Sequence, residues 1–303
     1  MADELILHHY DNSPFSEKVR LLFGLKGLSW RSVIQPTIMP KPDLTPLTGG
    51  YRRIPVMQIG ADVFCDTQVI MAEILKRTGD DGLETGGGFA VNFWADRLFF
   101  QPAVAVIFGE IGDNVPKAFI EDREKLSGRP FDTAAMKAAG PPMKTQWRAQ
   151  AAWIDRALAK APFLGGDNPG VADLSAYMNV WFTGGTVPAT MDALLAGLDR
   201  VKAWRERVRA IGHGQRSEMT PAEALEVARA AEPAAYTDHD AHEPLGLKPG
   251  QDVMVMADDY GREPIAGLLV AANPERVVIA RQDPALGRLQ VHFPRAGYFV
   301  AAA

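Results

Sequence analysis

A short apolar run, Leu5–His8, is followed by Phe15, Val19, Leu22 and Phe23 at the three-to-four-residue spacing that buries one face of a helix. Ser13 stands where that helix begins and Pro14 is its first residue. Proline's missing N–H costs nothing there, and the serine hydroxyl caps free backbone donors. A second strand is predicted over Trp30–Ile34, and a proline-rich stretch ends in Tyr51-Arg52-Arg53-Ile54-Pro55-Val56. Val56–Ile59 and Asp62–Cys65 read as strands joined by a two-residue Gly60-Ala61 turn. Asp66-Thr67 then opens a helix carrying Ile70, Met71, Ile74 and Leu75, its acidic residue complementing the helix N-terminus. The order is β-α-β followed by β-β-α.

From about Phe89 the period becomes helical. Phe89–Phe100 is rich in aromatic residues. Apolar stripes follow along Trp147/Ala151/Ile154/Leu158, Val171/Leu174/Met178/Trp181 and Leu194/Leu198/Val201/Trp204/Val208/Ile211. These predict a bundle with buried tryptophans. Asp113–Pro142 is longer than an ordinary helix connection and is expected to form a lid or an extra helix. After a linker near Glu232–Pro244, strand-like runs at Asp252–Met256, Ile265–Ala272, Val277–Ala280, Arg288–Phe293 and Tyr298–Ala302 alternate with turn clusters. Two of those are Asp258-Asp259-Tyr260-Gly261 and Asn273-Pro274-Glu275-Arg276. Short strands at this spacing argue for a small SH3-like β-barrel. A core of that size is modest, so docking on the helical domain or on a second copy is expected. His292 and Arg295 in this segment read as ordinary surface or edge residues.

Composition narrows the class. The chain has 303 residues, 47% of them hydrophobic, and a net charge of −5 with no block of Lys or Arg. That supports two or three globular domains and argues against nucleic acid as the main partner. Met-Ala-Asp-Glu at the start lacks a basic region leading into an apolar core, and no apolar run approaches ~20 residues. No membrane association and a cytoplasmic location are therefore expected. Cys65 is the only cysteine, which excludes an intrachain disulfide and any multi-cysteine metal site; it reads as a buried structural thiol. His8 and His9 are strand neighbours pointing to opposite faces, and His239-Asp240-Ala241-His242 lies in linker-like sequence. No metal site is expected.

The chemistry concentrates where the first strand turns into the first helix. First-turn N–H groups and the helix dipole make that end a site for a thiolate, carboxylate or phosphate. Ser13-Pro14-Phe15-Ser16, Arg53-Ile54-Pro55-Val56 and Asp66-Thr67, in this order, resemble the active-site, cis-proline and acidic-plus-hydroxyl motifs of the cytosolic glutathione transferase superfamily. The likeness covers roughly residues 4–230 and is to bacterial members with a serine-type motif, here with an extra C-terminal β domain. It implies a thioredoxin-like α/β domain over 1–82 that binds glutathione. An all-α domain over 86–232 would follow, with a cleft for an electrophile, and the β-barrel would occupy 243–303. It also implies a homodimer with glutathione as co-substrate. Ile54, before a cis Pro55, would offer its backbone N–H and C=O to the cysteinyl part of glutathione. Asp66 would take the γ-glutamyl ammonium and Thr67 its carboxylate, with Arg53 near the glycyl carboxylate. Aromatic residues on the first bundle helix would border a cleft facing Ser13.

Magnitudes allow Ser13 a catalytic role. A free thiol titrates near ~8.5, and lowering that by two units needs ~2.7 kcal/mol of anion stabilisation. A charge-assisted hydrogen bond supplies ~1.5–3 kcal/mol and a helix N-terminus ~0.3–1 kcal/mol, so together they suffice. Tyr10 and Ser16 are the rival hydroxyls, and an ordinary N-cap is the structural alternative for Ser13. A serine at this position cannot form a mixed disulfide with glutathione. Phe163–Asp173 is similar to the capping-box segment before the family's central helix, but Gly170 stands where Ser or Thr is usual, so only the Asp173 half remains. Two functions stay open. One is a glutathione transferase activating the thiolate for attack on a small electrophile or peroxide. The other is a silent binding or regulatory protein that uses its C-terminal barrel for partners.

Overall fold

The computed structural model describes residues 4–84 and 87–303. Residues 1–3 of the expected first domain and the expected start of the helical domain at residue 86 lie outside them. The first unit runs β1 (Ile6–His9), α1 (Pro14–Leu25), β2 (Ser29–Ile34), a short α2 (Thr45–Thr48), β3 (Val56–Ile59), β4 (Asp62–Cys65) and α3 (Thr67–Thr78). β1 pairs in parallel with β2 and antiparallel with β3, and β3 with β4. Gly60, at φ 59°, makes the tight β3–β4 turn. Ser13 caps α1, Asp66 caps α3, and Gly79 ends α3 in the left-handed conformation after Lys76 and Arg77.

The helical unit comprises α4 (Gly88–Trp94), a π turn over Ala95–Phe99, α5 (Phe100–Ile111), α6 (Lys117–Ser127), α7 (Thr133–Ala138), α8 (Gly140–Ala157), α9 (Val171–Thr186), α10 (Pro188–Leu194) and α11 (Asp199–Arg209). Within Asp113–Pro142 lie helices α6 and α7, so the long connection is helical. The stripe expected from Leu194 to Ile211 is broken at Gly197, φ 76°, where α10 gives way to α11. Trp30, Trp147 and Trp204 are fully buried, while Trp153 stays exposed. Two further elements escaped the periodicity. β5 (Gln215–Glu218) pairs with β2, and α12 (Pro221–Arg229) packs beneath the sheet, its Ala224 carbonyl accepting from Gln58 Nε2 at 2.9 Å. β5 is short and exposed throughout, so no apolar alternation marks it.

The C-terminal strands are joined to the first sheet. β6 (Asp252–Ala257), β7 (Ile265–Ala272), β8 (Arg276–Asp283), β9 (Gly287–Pro294) and β10 (Tyr298–Ala302) form where strands were predicted, but they extend the first sheet instead of closing on themselves. The row is open and ten-stranded, β10-β6-β7-β8-β9-β4-β3-β1-β2-β5. β9 lies parallel to β4, with Asp62 opposite Gln290 and Phe64 opposite His292. The main docking surface is the sheet of the first unit, with further contacts to the helical unit through Asp258 on Arg97 and the Gly261 N–H on the Leu126 carbonyl. Val56, Val63 and Cys65 share a hydrophobic cluster with Val253, Val255, Ile279, Val291 and Phe293, while the other core joins α1 and α3 to the helical unit. A few strands with too little core of their own thus borrow the free face of a neighbouring sheet. His292 is not at the surface. It is 3% exposed at this seam, bonded to Asp62 Oδ1 at 2.9 Å and stacked on Phe64. Buried Arg276 reaches Glu73 of α3 at 2.8 Å, and Arg295 pairs with Glu243 at 3.0 Å.

At the head of α9, Asp173 Oδ2 accepts from Gly170 N–H at 3.0 Å, and Oδ1 accepts from Leu164 N–H and the Trp204 indole. The missing side chain at 170 has a steric cause, because a Cβ there would stand 2.8 Å from the Leu83 carbonyl oxygen. Gly170→Ser, which completes the capping box on paper, should therefore destabilise the protein by about 1–3 kcal/mol in denaturant unfolding; a gain in stability would contradict this.

His8 and His9 are both buried and neutral. His8 Nε2 donates to Gln58 Oε1 while its Nδ1 accepts from Gln35; His9 Nδ1 accepts from Arg20, so Nε2 donates to Ser32. Burial holds His8 down at about 4, and burial with the Arg20 charge holds His9 at about 3. Below pH ~6.5 the unfolded chain takes up protons that the folded one refuses, so stability is full above that value and falls on acidification. Asp96 opposes this over a lower window, because burial raises its carboxyl to about 6 and stability falls as pH rises towards that value. Two histidines outweigh one carboxyl. Urea midpoints should therefore drop steadily from pH 7 to pH 5, with a shallower slope in His8→Gln.

Candidate active site

The register of the first sheet places the candidate residues together. His8 faces Val56 and Val56 faces Cys65, so the C-terminal end of β1, the start of β3 and the end of β4 share one edge. Ser13, Ile54-Pro55 and Asp66-Thr67 all leave the sheet from that edge. Ser13 Oγ accepts from Ser16 N–H at 3.1 Å and is 1% exposed. As a hydroxyl it keeps one proton to donate. Ser16 is fully buried with its Oγ unpartnered, one turn inside the helix. The Tyr10 phenol sits beside Arg123 and Ser13, and burial outweighs the arginine and pushes its pKa up, so it stays protonated.

The Ile54–Pro55 bond is cis. Among the described residues nothing hydrogen-bonds the Ile54 backbone, which leaves a donor and an acceptor free beside a paired strand, as an added extended peptide requires. Asp66 adopts φ 92°, a conformation that side-chain-bearing residues rarely take and that costs of order 1–3 kcal/mol. In that pose its Oδ1 accepts from Gln68 N–H at 2.9 Å and its Oδ2 faces the cleft. Thr67 opens α3 and is 3% exposed.

On the helical side, Lys18 of α1 is buried. Its Nζ donates to Asn92 Oδ1 at 2.8 Å and to both oxygens of Asp96 in the π turn at 2.6 and 2.8 Å. This pair ties α1 to the first bundle helix at the floor of the cleft. Of the aromatic residues expected at the cleft from the helical side, Phe93 lines it, and Phe100 packs behind Phe15, which also lines it, with ring centroids 4.8 Å apart, edge to face.

The C-terminal strands then fill the space these residues enclose. Asp259, in the β6–β7 loop, forms an ion pair with Arg53, and the Tyr260 ring lies 3.9 Å from that guanidinium. Asp258 pairs with Arg97 at 2.5 Å, and Gly261 N–H donates to the Leu126 carbonyl at 2.7 Å. Gly261 has φ 58°, and a Cβ on it would stand 3.0 Å from Arg53 Nε, so a larger residue would not let the loop sit this deep. From β10, the Tyr298 hydroxyl donates to Asp66 Oδ2 at 3.1 Å. Burial pushes the phenols of Tyr298 and Tyr260 up, the latter to about 12, so both remain neutral donors. What remains between Phe15, Arg53, Asp66, Asp96, Tyr260 and Tyr298 is about 30 Å³. That is room for a water or two, against ~300 Å³ or more for ordinary ligand sites. A wider hollow of about 490 Å³ over Leu158, Pro162, Arg200 and Arg207 contains none of the candidate residues.

Asp258, Asp259, Tyr260 and Tyr298 were not foreseeable as site residues. The Asp-Asp-Tyr-Gly run reads only as a turn, and its approach to Arg53 depends on a strand pairing far along the chain.

Family models for the glutathione S-transferase N-terminal domain and C-terminal domain match residues 7–82 and 122–207. A GST-like protein from Pseudomonas syringae is 34% identical over 100% of both chains, with a TM-score of 0.82. The chain therefore belongs to the glutathione S-transferase family, and the P. syringae protein matches it through the C-terminal strands as well. FzlA from C. crescentus is 23% identical, covering 68% of this chain and 88% of its own, with a TM-score of 0.52. Poplar glutathione transferase F1 is 14% identical, covering 76% of this chain and 100% of its own, with a TM-score of 0.54. Both share the fold. No curated protein matches the chain. No helix among the described residues is long and apolar enough to cross a membrane.

Proposed function

We propose that this protein is a serine-type glutathione transferase that activates the glutathione thiolate for attack on a small electrophile or peroxide. The observation that carries this reading is the free Ile54 backbone beside the capped N-terminus of α1, at the sheet edge that also carries Asp66. Glutathione would lie along Ile54 as a short extended strand, with its γ-glutamyl end on Asp66 and Thr67 and its glycyl carboxylate on Arg53. Ser13 would turn its hydroxyl proton to the sulfur, and the α1 dipole would add to the stabilisation of the anion. The electrophile would approach past Phe93 and Phe100. A cytoplasmic homodimer belongs to the same reading.

A second reading has its own support. Arg53 and Asp66 are already engaged by the chain's own C-terminal strands, and the outer face of those strands exposes Met254, Leu268 and Phe299. Both features suit a scaffold that has given up turnover for a binding role.

Calorimetric titration of the full chain with glutathione, followed by conjugation of a generic aryl halide across pH 6–9, separates the two. Under the first reading the protein turns over, and Ser13→Ala lowers the rate about 10–100-fold near pH 6.5 and less at pH 9, as the thiol recovers its solution pKa. The lost N-cap costs about 1 kcal/mol of stability besides. An unchanged pH profile in that variant would remove Ser13 from the mechanism, and binding without turnover would favour the second reading.

A further inference from the structure

We infer that the β6–β7 loop and Tyr298 form a built-in competitor for the thiol-peptide site, a latch that glutathione must displace in order to bind. The inference rests on the site reading just given. Asp259 presents a carboxylate to Arg53, the group proposed for the peptide's glycyl carboxylate, and Tyr298 presents an O–H donor to the carboxylate of Asp66, proposed for the peptide's ammonium. The two ends of the site are thus each satisfied by a side chain of matching chemistry. Tyr260 stacks on Arg53, and the hollow left between Arg53 and Asp66 is about 30 Å³.

The arrangement has the structure of a switch. The loop joins β6, which ends at Ala257, to β7, which begins at Ile265; the Asp258 N–H still donates to the Gly297 carbonyl at 3.0 Å, so residues 259–264 can lift without unzipping either strand. Its outer hold includes Asp258 on Arg97 and Gly261 N–H on the Leu126 carbonyl of α6, both on the helical unit, and Glu263 on Arg52 at 3.8 Å. A tethered carboxylate meets Arg53 at an effective concentration on the order of millimolar, so a free peptide has to outcompete it. Opening leaves charged groups at both ends that glutathione can pair again, whereas a thiol lacking those ends gains nothing for the same displacement.

Two measurements on the full chain test this, the affinity for glutathione and hydrogen exchange at the Gly261 amide, in the wild type and in Asp259→Asn. The latch predicts faster exchange in Asp259→Asn and affinity about tenfold or more tighter, with glutathione accelerating Gly261 exchange in the wild type. Equal or weaker affinity in Asp259→Asn, with both proteins binding, overturns the latch and leaves the thiol site standing. Unchanged exchange in Asp259→Asn shows that Asp259 holds nothing closed, which overturns it regardless of binding. If exchange accelerates and neither protein binds glutathione, the opened site is not a thiol-peptide site, and both readings fall. Tyr298→Phe, which keeps the ring and removes only the hydroxyl, should also tighten binding; weaker binding would make that hydroxyl part of the ligand site and count against the latch.

Discussion

A short parallel seam between β4 and β9 determines how the rest of the molecule is arranged. Asp62, Val63 and Phe64 pair with Gln290, Val291 and His292, and the His292 imidazole closes the seam by bonding back to Asp62. Because side chains alternate along β3 and β4, Met57 and Phe64 face one core while Val56, Val63 and Cys65 face the other. The C-terminal strands cover the second face. Once β9 is fixed, the antiparallel succession β9-β8-β7-β6 carries the β6–β7 loop back over the edge where Ser13, Ile54 and Asp66 emerge.

The consequence is a conflict between two uses of the same polar groups. Buried or half-buried charges must be paired, and a guanidinium closed off beneath Tyr260 without a carboxylate would be costly. Arg53 can be satisfied by Asp259 or by a ligand carboxylate, and the space left in the cleft does not accommodate both. The positive φ of Asp66, which folding uses to cap α3, and the free backbone of Ile54 are both local costs. A peptide partner would turn both into binding geometry.

Much of the first domain was legible in the sequence, because its signals are local. A Ser-Pro helix start, a Gly-Ala hairpin and an acidic cap each report on their own few residues, and the structure puts β3, β4 and the two caps where those residues indicate. The stripes of α8 and α9 were equally plain. Gly197 cut the third stripe, and β5, polar on both faces, left no trace. The C-terminal strands were recognisable one by one, but their partner was not. Regular short strands are compatible with a closed barrel or an extended sheet, and only the distribution of apolar residues on both faces of β3 and β4 hinted that a second layer was needed. The catalytic candidates Ser13, Arg53, Ile54, Pro55, Asp66 and Thr67 came from motifs. The groups that contest them, Asp259, Tyr260 and Tyr298, carry no motif, because their role arises from long-range pairing. Gly170 shows the same limit on a smaller scale, its reason being the carbonyl of Leu83, distant in sequence.

The most direct measurement is a crystal structure of the full chain grown with glutathione at saturating concentration. The account predicts the peptide's sulfur within hydrogen-bond distance of Ser13 Oγ, its cysteinyl backbone paired to Ile54 and its glycyl carboxylate on Arg53, with Asp259 withdrawn. A structure in which Arg53 still holds Asp259 and glutathione lies elsewhere, with its sulfur remote from the start of α1, would contradict it.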